Sequence, residues 1–374
     1  MTTAAVPPDP GHSGRSRPVL ITGTGLIGAS IGCALTADGW SVHLRDRRSS
    51  HAQVAESLGA GSCTVPDPAA VGLVVVAVPP RALPEVIGRA LRDFPTAAVT
   101  DVGSVKAGVL DSLWADPGLA ADLERYVGSH PMAGSQHSGP MTARADLFRD
   151  RTWVITPHRR SAPWAVDAVS ELAAACGARA VTMDVVDHDA AVARVSHLPH
   201  LLSVLMAGHL NSVPDRDLRL AGQGLRDVTR VAASDPELWE QIMTANSAAV
   251  LAELRSVRHQ LDTVIAALDL GSEGGTGDGL RAQLERGVAG SRRIPGKHGA
   301  PATAYGEVVV EIPDAPGALG RLFADIGDAG VNVEDVSIEH DQNRQVGYLS
   351  VAVAPAQLDR LVARMVEHGW DVQP

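Results

Sequence analysis

Residues 18–28 read Pro18-Val-Leu-Ile-Thr22-Gly23-Thr-Gly25-Leu26-Ile27-Gly28, and Asp46 closes the next strand-like run, Trp40-Ser-Val-His-Leu-Arg45. An apolar strand feeds a G-x-G-x-x-G loop, a helix follows, and a carboxylate sits about 20 residues on, which is the dinucleotide fingerprint in its required context. Gly23 permits the tight turn, Gly25 lets backbone N–H groups approach a pyrophosphate, and Gly28 lets the helix lie close on the strand. Leu26 and Ile27 open that helix and belong to the same cofactor loop. Asp46 is placed to accept hydrogen bonds from both ribose hydroxyls and to repel a 2′-phosphate, so the expected cofactor is NAD. Arg47 and Arg48 follow at once and leave use of NADP open.

The chain has 374 residues, enough for two or three domains with separate cores. Acidic side chains outnumber basic ones by 43 to 32, a net charge of −11, which disfavours nucleic acid as a partner. An anionic substrate remains compatible, because one or two placed arginines decide that locally. The three cysteines, Cys33, Cys63 and Cys176, have no ligand spacing and fit small core residues in a reducing cytoplasm. Residues 1–16 are rich in Pro, Gly and Ser without an apolar run, which suggests a loose tail rather than a signal peptide. The longest apolar run, Val71 to Val78, is too short to span a bilayer, so no membrane partner is expected.

From 17 to 187 strands alternate with helices: Val19–Thr22, Val42–Arg45, Leu73–Val78, Ala97–Thr100, Trp153–Thr156 and Ala180–Met183 read as strands of a parallel sheet covered on both faces. Val78 and Pro79 end the third strand. Active sites of such sheets lie beyond the carboxyl ends of the strands, so Asp46, Pro79, Ser104 and Lys106 should share one rim. Residues 188–270 are all helix, with Asp187 capping a helix over Ala190–Val195, and with a second helix running from Pro236 through Leu261. Their long apolar faces suggest burial against a second subunit, hence a homodimer. Residues 271–305 form a Gly-rich linker with a short helix at Leu280–Arg286. Residues 306–374 read strand, helix, strand, strand, helix, strand, a small α+β sandwich of ferredoxin-like order.

Four stretches place polar groups where a core pattern would not: Asp101-Val-Gly-Ser104-Val-Lys106; the loop Gly128-Ser-His130-Pro-Met-Ala-Gly134-Ser135; Asp187-His-Asp through Ser196-His197-Leu-Pro-His200; and Gly222-Gln-Gly224-Leu-Arg226-Asp-Val-Thr-Arg230. In this order, behind the fingerprint, they resemble the prephenate/arogenate dehydrogenase family of tyrosine biosynthesis. Asp314-Ala-Pro-Gly-Ala-Leu319 with Gly330-Val-Asn332-Val resembles the ACT domain, which binds amino acids. The implied fold is a Rossmann-type domain (17–187), a helical substrate and dimerisation domain (188–270) and an ACT domain (306–374). The implied reaction is oxidative decarboxylation of prephenate, in which hydride leaves C4, the ring carboxylate leaves as CO₂ and the ring becomes aromatic.

The resemblance gives His130 the role of hydrogen-bond partner and base for the C4 hydroxyl, with Ser104 as its second partner. It gives Arg230 the substrate carboxylate and His197 a place in the substrate pocket, while His200 reads as structural. A two-His metal site is conceivable around Pro199, but no acidic third ligand is evident and no metal is expected. Asp187 and Asp189 read as helix caps, and Asp101 and Lys106 as braces of the Ser104 loop. Many relatives carry a hydroxyl residue then Glu after the His130 loop, whereas this chain has Ser135-Gln136. A neutral Gln136 favours the keto acid prephenate over arogenate, whose ammonium would prefer a carboxylate. The ACT resemblance implies L-tyrosine as effector, with Gly317 and Asn332 at its site. Competing readings are arogenate or 4-amino-4-deoxyprephenate dehydrogenase, a hydroxyacid or imine reductase, and a non-catalytic NAD- and amino-acid-sensing regulator.

Overall fold

The computed structural model describes residues 17–134, 138–272, 278–294, 305–340 and 346–373. The tail at 1–16, Ser135, Gln136 and parts of the expected linker lie outside the described residues. The chain divides into two compact units, residues 1–259 and 260–374.

In the first unit, β1 (Val19–Thr22), β2 (Val42–Arg45), β3 (Leu73–Val76) and β4 (Ala98–Asp101) form a parallel sheet of order β2-β1-β3-β4. These strands are short and almost wholly apolar because helices cover both faces. The covering helices are α1 (Leu26–Ala37), α2 (Ser49–Ser57), α3 (Leu83–Asp93) and α4 (Ala107–Trp114). One face buries Ile21, Ile31, Leu35 and Val75, and the other Leu20, Val74, Ile87 and Leu91.

The expected continuous parallel sheet needs one correction. The Gly128–Pro131 stretch, read as a loop, is strand β5. It pairs antiparallel with β6 (Thr152–Thr156), which runs parallel to β7 (Arg179–Thr182). A single parallel bridge, Val99 to Tyr126, joins this second sheet to the first. Glycine and proline at its ends hide the strand in sequence. Gly128 is required there, since a Cβ would lie 2.8 Å from Thr156 Oγ1 and 3.1 Å from Lys106 Cδ.

After α5 (Pro163–Ala175) and β7 the chain turns helical at α6 (Val185–Val192). The cap of α6 is Asp184, whose carboxylate accepts from the Val186 N–H; Asp187 lies inside the first turn and is not the cap. A π-helical turn at Ala193–His197 then leads into α7 (Leu198–His209), with Pro199 at its start. Taken as one run, Val185–Ser212 is long and apolar enough to cross a membrane by length and composition. Its buried positions, however, include His188, Asp189, His197 and His200. The short helices α8 (Asp215–Leu218) and α9 (Gln223–Thr229) follow. The helix expected from Pro236 onward breaks at Asn246, giving α10 (Pro236–Ala245) and α11 (Ser247–Ser272).

In the second unit α12 spans Asp278–Ser291, twice the length expected for the linker helix. Then come β8 (Gly306–Pro313), α13 (Ala318–Asp328), β9 (Val333–His340), β10 (Val346–Val353), α14 (Leu358–Glu367) and β11 (Asp371–Gln373). The sheet is antiparallel with order β11-β8-β10-β9, the ferredoxin-like arrangement read from the sequence. Val308, Val310, Leu349 and Val351 face Leu322, Ile326, Leu361 and Met365 across its core.

Candidate active site

The glycine loop behaves as its spacing requires. Gly23 has φ +96°, and a Cβ there would meet Ala77 O at 2.2 Å; a Cβ on Gly28 would meet Gly23 O at 1.9 Å. Over Gly25 there is nothing within 4 Å, and no side chain caps α1, so open space lies in front of a helix N-terminus. That vacancy is what a pyrophosphate needs. Asp46 is half-buried at the end of β2. Its Oδ2 accepts from Thr24 N–H (2.7 Å) and Thr24 Oγ1 (3.0 Å), and its Oδ1 from Arg48 N–H (2.8 Å). The acid therefore also clamps the glycine loop, and of its roughly four acceptor positions the bonds to described residues leave one, on Oδ1, for a ribose hydroxyl. Val78 and Pro79 follow β3 on the same side of the sheet.

Ser104 lies half-buried on the turn between β4 and α4, on that rim. Lys106 departs from the expectation: it is fully buried and turned beneath the loop, not along the rim. Its ammonium forms a very short ion pair with Asp101 Oδ2 and donates to Ser129 O at 2.8 Å. Asp101 also accepts from Tyr126 Oη (2.8 Å) and Gly103 N–H (2.9 Å). Asp101 and Lys106 thus brace the loop, as their spacing suggested. Desolvation lowers the Lys106 pKa and raises that of Tyr126 well above the phenol range.

His130 projects from β5 next to Ser129. Its Nδ1 lies 3.0 Å from His188 Nε2, and His188 Nδ1 lies 2.8 Å from Asp189 Oδ1. Asp189 does not cap its own helix. It accepts from the N–H groups of Lys106 (2.9 Å) and Ala107 (2.8 Å), so it closes the N-terminus of α4. Burial works against that carboxylate's charge, yet the hydrogen bonds from His188, Ala107 and Lys106 outweigh it and hold its pKa low.

These bonds fix the tautomers. An ionised Asp189 only accepts, so His188 holds a ring proton on Nδ1, and with that one proton its Nε2 is a lone pair. His130 must then donate from Nδ1, which leaves His130 Nε2 as the free acceptor. Burial, reinforced by His188, Lys106 and His197, keeps the His130 pKa well below that of an ordinary imidazole. The residue is a neutral base at physiological pH.

Asn246, at the break between α10 and α11, donates from Nδ2 to Asp189 O (2.8 Å) and to His197 Nδ1 (3.2 Å). His197 therefore carries its proton on Nε2. It is buried, edge-on to Trp239, and burial lowers its pKa to about 4. His200 stacks on Trp239 with ring centroids 3.5 Å apart, a packing role as expected. Arg230 is exposed on a 3₁₀ turn that packs on α7, and α10 reaches the strand end through Gln241 Oε1, which accepts from Arg81 N–H.

His188 and Asn246 escaped the sequence reading. His188 had a legible signal: Val185, His188, Asp189 and Val192 follow i, i+3, i+4, i+7 spacing, so two polar residues sit on a buried helix face. Asn246 had none, because only the tertiary contact reveals the break.

Residues 31–182 match the family model for the prephenate dehydrogenase nucleotide-binding domain, and residues 184–285 that for its dimerization domain. A probable prephenate dehydrogenase, NovF, of Streptomyces niveus is 34% identical over 95% of this chain and 99% of its own. A cyclohexadienyl dehydrogenase of Zymomonas mobilis is 31% identical over 67% of this chain and 89% of its own. Among solved structures, prephenate dehydrogenase from A. aeolicus in complex with hydroxyphenyl propionate and NAD+ aligns with TM-score 0.63 and 25% identity, covering 74% of this chain and 97% of that one. Synechocystis arogenate dehydrogenase aligns with TM-score 0.60 and 25% identity over 74% and 100%.

Proposed function

The chain belongs to the prephenate dehydrogenase family, and from that premise we propose that it oxidatively decarboxylates prephenate to 4-hydroxyphenylpyruvate with NAD. The observation that carries the reading is the Nε2 of His130, on a ring that burial keeps neutral and that His188 and Asp189 orient through its Nδ1. NAD, when bound, supplies the acceptor for the C4 hydride. The uncapped N-terminus of α1, the open space over Gly25 and the carboxylate of Asp46 fit its pyrophosphate and ribose.

As hydride departs from C4, the hydroxyl on that carbon becomes acidic. His130 Nε2 accepts its proton, and Ser104 is the second hydrogen-bond partner of the same oxygen. Arg230 grips a substrate carboxylate, where a guanidinium gives affinity and orientation together. His197, its Nδ1 held by Asn246, keeps an Nε2–H donor, which fits the substrate-pocket role that the family resemblance gives it. Ser135 and neutral Gln136 follow the His130 strand and favour the keto side chain. The test is NADH formation by the full chain with prephenate and with arogenate, side by side. Higher kcat/KM for prephenate is expected; the reverse would assign arogenate. His130→Asn should lower kcat by about 10²–10⁴-fold, the usual worth of a placed base, and near-normal kcat would remove His130 from the role.

The working protein is a cytoplasmic homodimer. The free thiols Cys33, Cys63 and Cys176 fit a reducing compartment. Val195, Leu205, Leu251 and Leu261 leave apolar surface exposed on the helices that the dimerization model covers. Residues 306–374 act as an ACT domain that senses L-tyrosine. Gly317 is left-handed at φ +87° where α13 begins, and Asn332, exposed ahead of β9, donates to Glu334. Truncation after about residue 300 should then leave activity and remove tyrosine inhibition; unaltered inhibition would place the tyrosine site elsewhere.

A further inference from the structure

We propose that the proton taken from the substrate hydroxyl passes along the His130–His188 hydrogen bond and is held on His188 against Asp189 until the ring oxygen reclaims it. This rests on the reaction assigned above.

The geometry gives His130 a poor setting for a positive charge. Among the described residues no carboxylate is bonded to it, and the Lys106 ammonium donates to the carbonyl of the preceding residue, Ser129. His197 adds a second imidazole on the α7 side. The Asp101 carboxylate is spent on Lys106, Tyr126 and Gly103. His188 differs in one contact: its Nδ1–H donates directly to Asp189 Oδ1. That carboxylate is fixed by two backbone N–H groups at the head of α4, so it cannot turn away. Asn246 ties the carbonyl of the same residue. A second proton on His188 sits in a ring that already touches the Asp189 carboxylate, whereas His130 has no such contact among the described residues, and a 3.0 Å hydrogen bond joins the two rings.

The step balances. The substrate O–H bond breaks as His130 Nε2–H forms, His130 Nδ1–H breaks as His188 Nε2–H forms, and the C4 hydride carries its electron pair to the nicotinamide. Loss of CO₂ then leaves a phenolate, and the proton returns by the reverse path. No net proton is released, as the phenol product requires.

His188 is thus a positioning and proton-holding residue whose action runs through His130. Full-length wild type, His188→Gln and Asp189→Asn are compared in single turnovers with prephenate, in mixtures of light and heavy water. A glutamine oxygen can still accept from His130 Nδ1–H but cannot take up its proton. His188→Gln should lower the turnover rate by about 10–100-fold with NAD affinity and KM retained. The wild-type rate should fall along a curved line with deuterium content, and the His188→Gln rate along a straight one. Asp189→Asn should move the acid limb of kcat/KM to lower pH, because the protonated pair loses its counter-charge. A straight wild-type dependence, or His188→Gln turning over within about twofold of wild type, would overturn the relay. If wild type oxidises neither prephenate nor arogenate, the assigned reaction fails instead.

Discussion

Replacing Lys106 by Met keeps the volume of a fully buried side chain and removes the only cation that faces Asp101 among the described ion pairs. The carboxylate would keep its bonds from Tyr126 Oη and Gly103 N–H but lose its counter-charge, and Ser129 O would lose the donor at 2.8 Å. Breaking a buried pair by removing one partner costs about 3–5 kcal/mol, because an uncompensated charge remains. For a unit of this size each kcal/mol moves the melting point by about 2–4 °C, so Tm should fall by roughly 6–20 °C. The second arm is Lys106→Met with Asp101→Asn. A neutral amide is far cheaper to bury, so the double variant should regain about half of the loss or more. Both are read by thermal unfolding followed by circular dichroism, with and without NAD. A single variant within about 1 kcal/mol of wild type, or a double variant no better than the single, would refute the reasoning that charge complementarity holds this pair together.

Gly25→Ala should melt like wild type, since its Cβ meets nothing, yet bind NAD at least about tenfold more weakly; Gly28→Ala should lose stability as well, and calorimetric titration with melting curves separates the two. Stability should decline as pH falls from 6.5 toward about 4, because the unfolded chain takes up a proton at His197 that the folded state refuses. A His197→Asn variant should show a shallower Tm–pH slope over that window, and an unchanged slope would reject the assignment. Arg230→Ala should raise KM for prephenate by about 10–100-fold with kcat near wild type, as expected for a carboxylate grip equal in ground and transition states; steady-state kinetics with an unchanged KM would contradict it.

Local rules made much of the molecule legible. The glycine loop, Asp46 and the β-branched runs declare a nucleotide-binding sheet, because each residue's role there is set by neighbours close in sequence. The ferredoxin-like order of 306–374 was readable for the same reason, through alternating periods of two and 3.6. The misreadings fall where tertiary contacts override local signals. Gly128 and Pro131 look like a turn, yet β4 and β6 recruit them into a sheet. Asp187 and Asp189 both look like caps, but Asp184 fills that place and Asp189 serves a helix more than eighty residues away in sequence. A residue that caps a distant helix gives no signal at its own position. The His130–His188 pair was half-visible for that reason: the motif names His130, and only the fold supplies its neighbour.

The π turn at Ala193–His197 has a consequence for how this helix can change over time. A π turn is one extra residue in an α-helix, which shifts the register after it by about 100°. His188 and His200 are twelve residues apart and would diverge by about 120° on an uninterrupted helix; with the extra residue they fall within about 20°, and both are buried. The wider turn also gives Pro199 room, since a proline in regular α-helix collides with the carbonyl four residues before it. Insertion and proline are therefore interdependent. Losing the exposed Val195 would keep both histidines on one face but drive Pro199 into a regular helix, so the deletion should fold poorly alone and well beside Pro199→Ala. Equal melting points for the two deletion variants would deny the link. Sequence change along this helix has a permitted order: the proline goes first, then the residue.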